Sequence, residues 1–266
     1  RNTHFYLEVP VAENRFSVRD LVVIITGAGQ GLGREYALAF AAEGAIPVLA
    51  ELNEANLNKV AAEIEAAGGK CLAIQTDVGD PDSTKAMAAK TIEAFGRIDV
   101  LINNAAVFAS LPQRPFDEIP FEEWNLVMQV NITGSYLCAS AVAPAMRAAG
   151  RGRIINVSSG TVPQGAPGFI HYVTSKSAII GMTRVLAREL SDHNVNVNTL
   201  MPGYTTTEVD HASMNDDLHE FIQNKRLVKR EGTPEDLIGT ALFLASPASS
   251  FISGQTIAVC GGEVMT

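Results

Sequence analysis

Tyr172 and Lys176 stand four residues apart, so on a helix they share one face. A phenol with its usual pKa of about 10 is a poor base at neutral pH. A cation held beside it stabilises phenolate and lowers that value, which suits proton exchange with an alcohol or ketone oxygen. Ser159 follows an apolar run that ends shortly before Tyr172, where its hydroxyl could hold a substrate oxygen next to the phenol. On its own, a serine there is more simply a helix cap or turn residue. Asn131 falls inside a helical stretch although asparagine forms helices poorly, which calls for a polar contact or a local kink.

A second group of residues suits an anion. The segment Thr26-Gly-Ala-Gly-Gln-Gly-Leu-Gly33 joins an apolar run to a helical pattern. Its glycines let the backbone turn tightly and approach a pyrophosphate at a helix N-terminus, placing Gly27, Gln30, Gly31 and Leu32 against it. Glu51 ends the next apolar run about 20 residues on, the offset expected for a carboxylate that accepts hydrogen bonds from an adenosine ribose. Such a carboxylate suits NAD and repels the 2′-phosphate of NADP, and no Arg or Lys lies among residues 28–32 or 52–53 to offset that. The plainer alternative makes Glu51 an N-terminal helix charge. Asp77-Val78 and Asn103-Asn-Ala-Ala106 end two further apolar runs, where helix caps and turn residues also occur.

These residues need a frame. Short apolar, β-branched runs predict strands over residues 21–26, 46–51, 71–76, 100–103, 153–158, 195–201 and 256–259. Helical patterns cover 31–42, 54–67, 82–95, 121–149, 172–191 and 234–245. Strands alternating with helices pair in parallel, and both faces of such a sheet must be covered. The prediction is a three-layer, doubly wound α/β Rossmann fold with a seven-stranded parallel sheet, one domain over 21–266, preceded by a leader over 1–20. Two segments break the rhythm, 108–120 and 205–232, both beyond the carboxyl ends of strands, where ligands bind in open sheets.

Composition narrows the function. The chain has 266 residues, with 29 acidic against 20 basic side chains and a net charge of −9, which disfavours nucleic acid and anionic membranes as partners. The three cysteines are scattered, which fits a reducing cytosol and neither a disulfide framework nor a cysteine metal site. No apolar run reaches the roughly 18 residues of a bilayer span. No His/Asp/Glu cluster has ligand spacing, so a metal hydrolase is poorly supported and no metal is expected.

Taken together, Thr26-Gly-xxx-Gly-x-Gly33, Asp77, Asn103-Asn-Ala, Asn131, Ser159, Tyr172-xxx-Lys176 and Pro202-Gly203 resemble the short-chain dehydrogenase/reductase family in its compact form, over residues 21–262. The resemblance implies a catalytic tetrad of Asn131, Ser159, Tyr172 and Lys176, with Tyr172 as general acid/base. Lys176 would also bind the nicotinamide ribose, together with Tyr172, and Asn131 would support a proton-relay water. It further implies NAD contacts from Leu52, Asn104, Ala105 and Ala106 on the adenosine side, with Asn104 at the adenine ribose. Pro202, Gly203 and Thr205 would contact the nicotinamide, and Thr207 the pyrophosphate. A homotetramer is also implied, through the helices of 121–149 and 172–191 and the last strand. Three positions depart from the family pattern: Ala106 and Cys260 stand where glycine and aspartate are usual, and Thr205 where isoleucine or valine is usual.

For the substrate, Val107, Phe108, Val162, Pro163, Phe169 and Tyr204 are expected around the nicotinamide, with a helical stripe of Met214, Leu218, Phe221 and Ile222 behind them. That stripe either lines a lid or merely packs the 205–232 segment onto the body. No Arg or Lys falls among these positions, which favours an uncharged, apolar, cyclic or aromatic secondary alcohol or ketone. His171 and His211 are further candidates for the pocket. The alternatives are a 3-oxoacyl-carrier-protein reductase, disfavoured by the acidic charge and Glu51, and a non-catalytic NAD-binding protein.

Overall fold

The computed structural model describes residues 14–213 and 216–265. Seven strands form one parallel sheet in the order β3-β2-β1-β4-β5-β6-β7. They are β1 Val22–Thr26, β2 Ile46–Glu51, β3 Leu72–Gln75, β4 Val100–Asn103, β5 Gly152–Val157, β6 Val195–Pro202 and β7 Thr256–Val259. The order reverses between β1 and β4, which opens a crevice beyond their carboxyl ends.

Alternation along β1 divides the core. Val23 and Ile25 face a cluster with Tyr36 and Phe40 of α1 (Gly31–Ala42), Leu57 and Ile64 of α2 (Glu54–Ala66) and Leu244 of α9 (Glu235–Ala245). Val22 and Ile24 face the other way, toward Met87 of α3 (Pro81–Phe95), Cys138 and Met146 of α5 (Gly134–Ala149) and Ala187 of α7 (Ile170–Glu189). Val18 is buried in the first cluster, so the chain joins the domain ahead of residue 21. The first thirteen residues of the expected leader lie outside the described ones.

The 121–149 helix is continuous but not uniform: α4 (Phe121–Met128) passes into α5 through a π turn at Gln129–Thr133 that holds Asn131. This 29-residue helix is apolar enough to cross a membrane by composition, beyond what the apolar runs predict, yet Val127, Cys138, Val142 and Met146 pack into the core. Helix α7 begins earlier than its pattern suggests, so Tyr172 sits inside its first turn. A buried polar chain fixes α7 against the sheet. Asn103 Nδ2 donates to Asn156 Oδ1 at 2.9 Å, Asn156 Nδ2 to Thr183 Oγ1 at 2.9 Å, and Thr199 Oγ1 to Thr183 Oγ1 at 2.8 Å. Because each of these groups is buried, leaving one unpaired would cost about 1–3 kcal/mol.

Candidate active site

At the carboxyl end of β1 the chain turns through Gly27 at φ +65° and Gly31 at φ +55° before α1. A Cβ on Gly33 would stand 2.0 Å from the Gly27 carbonyl oxygen, so no side chain fits there. Thr26 Oγ1 ties this turn to the end of β4 by accepting from Asn104 N at 3.0 Å and Ala105 N at 3.1 Å. The Asn104 amide donates to the Thr26 carbonyl at 3.0 Å, so its side chain braces the turn. Glu51 points into the turn rather than along α2: Oε2 accepts from Gly29 N at 3.0 Å and Oε1 from Asn53 N at 2.9 Å. Capping of α2 falls instead to Asn53, which accepts from Asn56 N at 3.0 Å.

A cleft of about 750 Å³ runs from this turn across the sheet edge. Gly27, Gln30, Gly31, Leu32, Glu51 and Leu52 line one end, Asp77, Val78 and Asn104–Ala106 the middle, and Pro202, Gly203, Thr205 and Thr207 a third wall. Its shape and donors fit a dinucleotide: a glycine turn with no room for a Cβ at Gly29 or Gly33, the N–H groups at the start of α1 and a carboxylate beside them.

Ser159, Tyr172 and Lys176 meet at the opposite end. Tyr172 is 6% exposed, and its ring lies against Phe108 with centroids 4.2 Å apart. Burial pushes the phenol up to about 12, while a hydrogen bond with Ser159 pulls the other way. Thr161 orients that serine, donating to Ser159 Oγ from its hydroxyl at 2.9 Å. Burial brings the Lys176 ammonium down to about 8. Its Nζ donates to the Val157 carbonyl at 2.9 Å and lies 5.8 Å from the Tyr172 ring centroid. Burial is the larger influence on the phenol, and the Lys176 ammonium bonds to backbone beside it rather than to its oxygen. Asn131 does not line the cleft. It is fully buried, where Oδ1 accepts from Val107 N at 2.8 Å and Nδ2 donates to Ser175 Oγ at 3.0 Å, joining the β4 loop to α7.

A family model described as enoyl-(acyl carrier protein) reductase matches residues 27–263. A relative in Aspergillus oryzae, the short chain dehydrogenase/reductase astE, is 38% identical over 94% of this chain and 97% of its own. The chain belongs to the short-chain dehydrogenase/reductase family. Within that family it is 37% identical to a 3-oxoacyl-[acyl-carrier-protein] reductase of Synechocystis sp., over 92% of this chain and 97% of that one. It superposes with a TM-score of 0.87 on the 3-ketoacyl-(acyl-carrier-protein) reductase of Brucella melitensis complexed with NADH, at 29% identity, covering 94% of this chain and 100% of that one.

Around the chemistry end of this short-chain dehydrogenase/reductase, Val107, Phe108, Phe169 and Tyr204 line the cleft as expected, and so do His211, Phe221 and Ile222, whose place the sequence left open. Val162 and Pro163 do not; the short helix α6 (Thr161–Gln164) presents Thr161 and Gln164 instead. His171 is fully buried, with Nε2 3.3 Å from Glu123 Oε1, away from the cleft. Met214 and the Leu218 side chain lie outside the described residues. Outside the positions considered in the sequence, Lys225 on α8 (Asp216–Lys225) brings a basic group to the cleft lining, with its Nζ 4.3 Å from the Phe221 ring centroid. Sequence reading also missed Glu208, whose Oε1 accepts from Gly31 N at 2.9 Å, and Glu263, which lines the cleft and accepts from Gln164 at 2.7 Å. Both carboxylates sit far in sequence from what they touch, so no local pattern announces them. Among the described residues no His/Cys/Asp/Glu cluster could hold a metal ion.

Proposed function

We propose that this chain is an NAD-dependent oxidoreductase that interconverts a secondary alcohol and a ketone on an apolar, cyclic or aromatic small molecule. The observation that carries the reading is the convergence of Ser159, Tyr172 and Lys176 at one end of a cleft whose other end presents Glu51 beside a glycine turn. Glu51 receives the adenosine ribose hydroxyls, Gly31 and Leu32 the pyrophosphate, Asp77 and Val78 the adenine, and Pro202 to Thr207 the nicotinamide half. When bound, the nicotinamide gives or takes hydride at C4.

The protein's own groups move the proton. Ser159 holds the substrate oxygen, and Tyr172 gives its proton to a ketone or takes one from an alcohol. Lys176 holds positive charge near the phenol as the phenolate forms, and Asn131 fixes the loop and helix that carry the pocket. Phe108 and Phe169 cover the reacting end and exclude water. Exposed Phe121, Leu126 and Tyr136 on the α4–α5 helix and Val185 on α7 support assembly of several copies through those helices.

A second reading, reduction of a 3-oxoacyl thioester on a carrier protein, is favoured by the relative in Synechocystis sp.. The net charge of −9 opposes docking of an acidic carrier. A panel of cyclic and aromatic secondary alcohols, and of an acetoacetyl thioester with the reverse reaction, followed at 340 nm with each nicotinamide cofactor, tests both readings. Turnover of the alcohols with NAD⁺ is expected. Turnover of the thioester alone, with NADPH, would replace the first reading by the second. Tyr172→Phe should lower kcat at least about 100-fold while cofactor binding persists; full activity in that variant would remove Tyr172 from the chemistry.

A further inference from the structure

Helix α1 lacks an anionic partner of its own. Its N-cap, Gln30, makes no side-chain capping bond, and no acidic residue lies in its first turn. A helix start left this way presents unpaired N–H groups and the positive end of the dipole. The missing anion comes from the far side of the cleft: Glu208 Oε1 accepts from Gly31 N at 2.9 Å. The neighbouring chain supports that placement. Val209 Cγ2 and Thr207 Oγ1 are the atoms nearest the open side of Gly31, at 3.5 and 3.8 Å from where its Cβ would lie. Thr207 Oγ1 in turn accepts from Val209 N at 3.2 Å, and Thr206 N is anchored on the Gly232 carbonyl at 3.0 Å. The carboxylate is thus delivered by a braced turn to the N–H groups that a pyrophosphate would need.

We propose that Glu208 is a built-in surrogate for the cofactor pyrophosphate, seated on the N–H of Gly31 in the free protein and displaced when the dinucleotide binds, so that it sets cofactor affinity. The inference rests on the reading of this cleft as a dinucleotide site. A carboxylate and a pyrophosphate cannot share the same N–H donors, and their like charges repel at that distance. Binding must therefore give up the Glu208 contact, and part of the cofactor's affinity is spent in doing so.

Glu208→Gln keeps the shape and removes the charge. Calorimetric titration of the free protein with NADH, ADP-ribose and adenosine tests the idea without turnover. NADH and ADP-ribose, which carry the pyrophosphate, should bind the variant roughly three- to tenfold tighter than the wild type. Adenosine, which has no phosphate, should bind both equally. Thermal melting adds a second readout. The variant should melt lower than the wild type without ligand, and the difference should shrink or reverse with saturating NADH. Equal or weaker binding of NADH by the variant overturns the surrogate role while leaving the dinucleotide site intact. Failure of both proteins to bind NADH, NADPH or ADP-ribose overturns that reading of the cleft and the surrogate role with it.

Discussion

Phe108 and Tyr172 lie nearly face to face, with ring centroids 4.2 Å apart and planes inclined by 25°. One side of the phenol is thereby closed by an apolar ring, which itself packs against Phe169 at 5.8 Å and His211 at 5.3 Å. An aromatic wall of this kind removes water from the phenolate that catalysis must form, and so contributes to its raised pKa.

Phe108→Ala should therefore act on chemistry and fit together. Water reaches Tyr172, its pKa falls back toward the ordinary value, and the alkaline rise of alcohol oxidation moves to lower pH. The space vacated should lower KM for bulkier ketones more than for small ones. Stability should fall by about 1–3 kcal/mol, less than the 3–5 of a fully buried phenylalanine, as read by denaturant unfolding. An unshifted pH profile would mean that the ring does not control solvation of the phenol.

The two directions of the reaction should respond oppositely to pH. With Tyr172 raised to about 12, the phenol is protonated at neutral pH and ready to donate. Ketone reduction should be flat through neutrality and decline only in alkali, whereas alcohol oxidation needs phenolate and should climb with pH. Lys176, brought down to about 8, begins to lose its charge over the same alkaline range, which should flatten that climb. Profiles of kcat/KM in both directions check the signs, and an oxidation rate that falls as pH rises would contradict them.

Glu51 should set the choice of cofactor. In Glu51→Ala, affinity for NADH should drop about tenfold, consistent with about 1.5 kcal/mol for hydrogen bonds to a charged group. NADPH should gain, because the repelling carboxylate is gone. A fluorescence titration with both reduced cofactors reads this directly. Preserved discrimination in the variant would assign it to other residues.

Asn131→Ala should loosen the pocket from behind. The substitution leaves Val107 N–H without its 2.8 Å acceptor and Ser175 Oγ without its 3.0 Å donor. Stability should fall by about 1–3 kcal/mol. Because Val107 adjoins Phe108, kcat should fall as well, with KM for cofactor little changed. Unfolding curves and steady-state kinetics separate the two effects.

Much of this was readable from residue order. Runs such as Val22–Thr26 announce buried strands because β-branched side chains recur without polar interruption, and the glycines after them have few other uses at a strand–helix junction. Tyr172 and Lys176 were legible as a pair because helical spacing is local. Their surroundings were not, since the burial that raises the phenol's pKa comes from distant parts of the chain, among them Phe108 stacked on its ring. Asn131 signalled an irregularity without revealing its form, a π turn. Helix α6 escaped notice because Thr161-Val-Pro-Gln164 is short and carries a proline. Glu208 and Glu263 were missed because they lie on irregular chain whose path no periodicity fixes, and Lys225 because it ends the short helix α8, whose placement over the cleft is not a local property.

The π turn at Gln129–Thr133 has a consequence for how this region can vary. One residue of helix corresponds to about 100° of rotation. The wide turn absorbs one such step between the face of α4 that buries Val127 and the face of α5 that buries Cys138, Val142 and Met146. Trimming a residue there to restore a regular helix would keep that second set on the sheet but remove the turn that seats Asn131, whereas trimming one elsewhere in α5 would swing the buried side chains beyond the cut by about 100°. A one-residue change in length is thereby tolerated only at this turn, and elsewhere in the helix only steps that bring the same face round again keep the core packed.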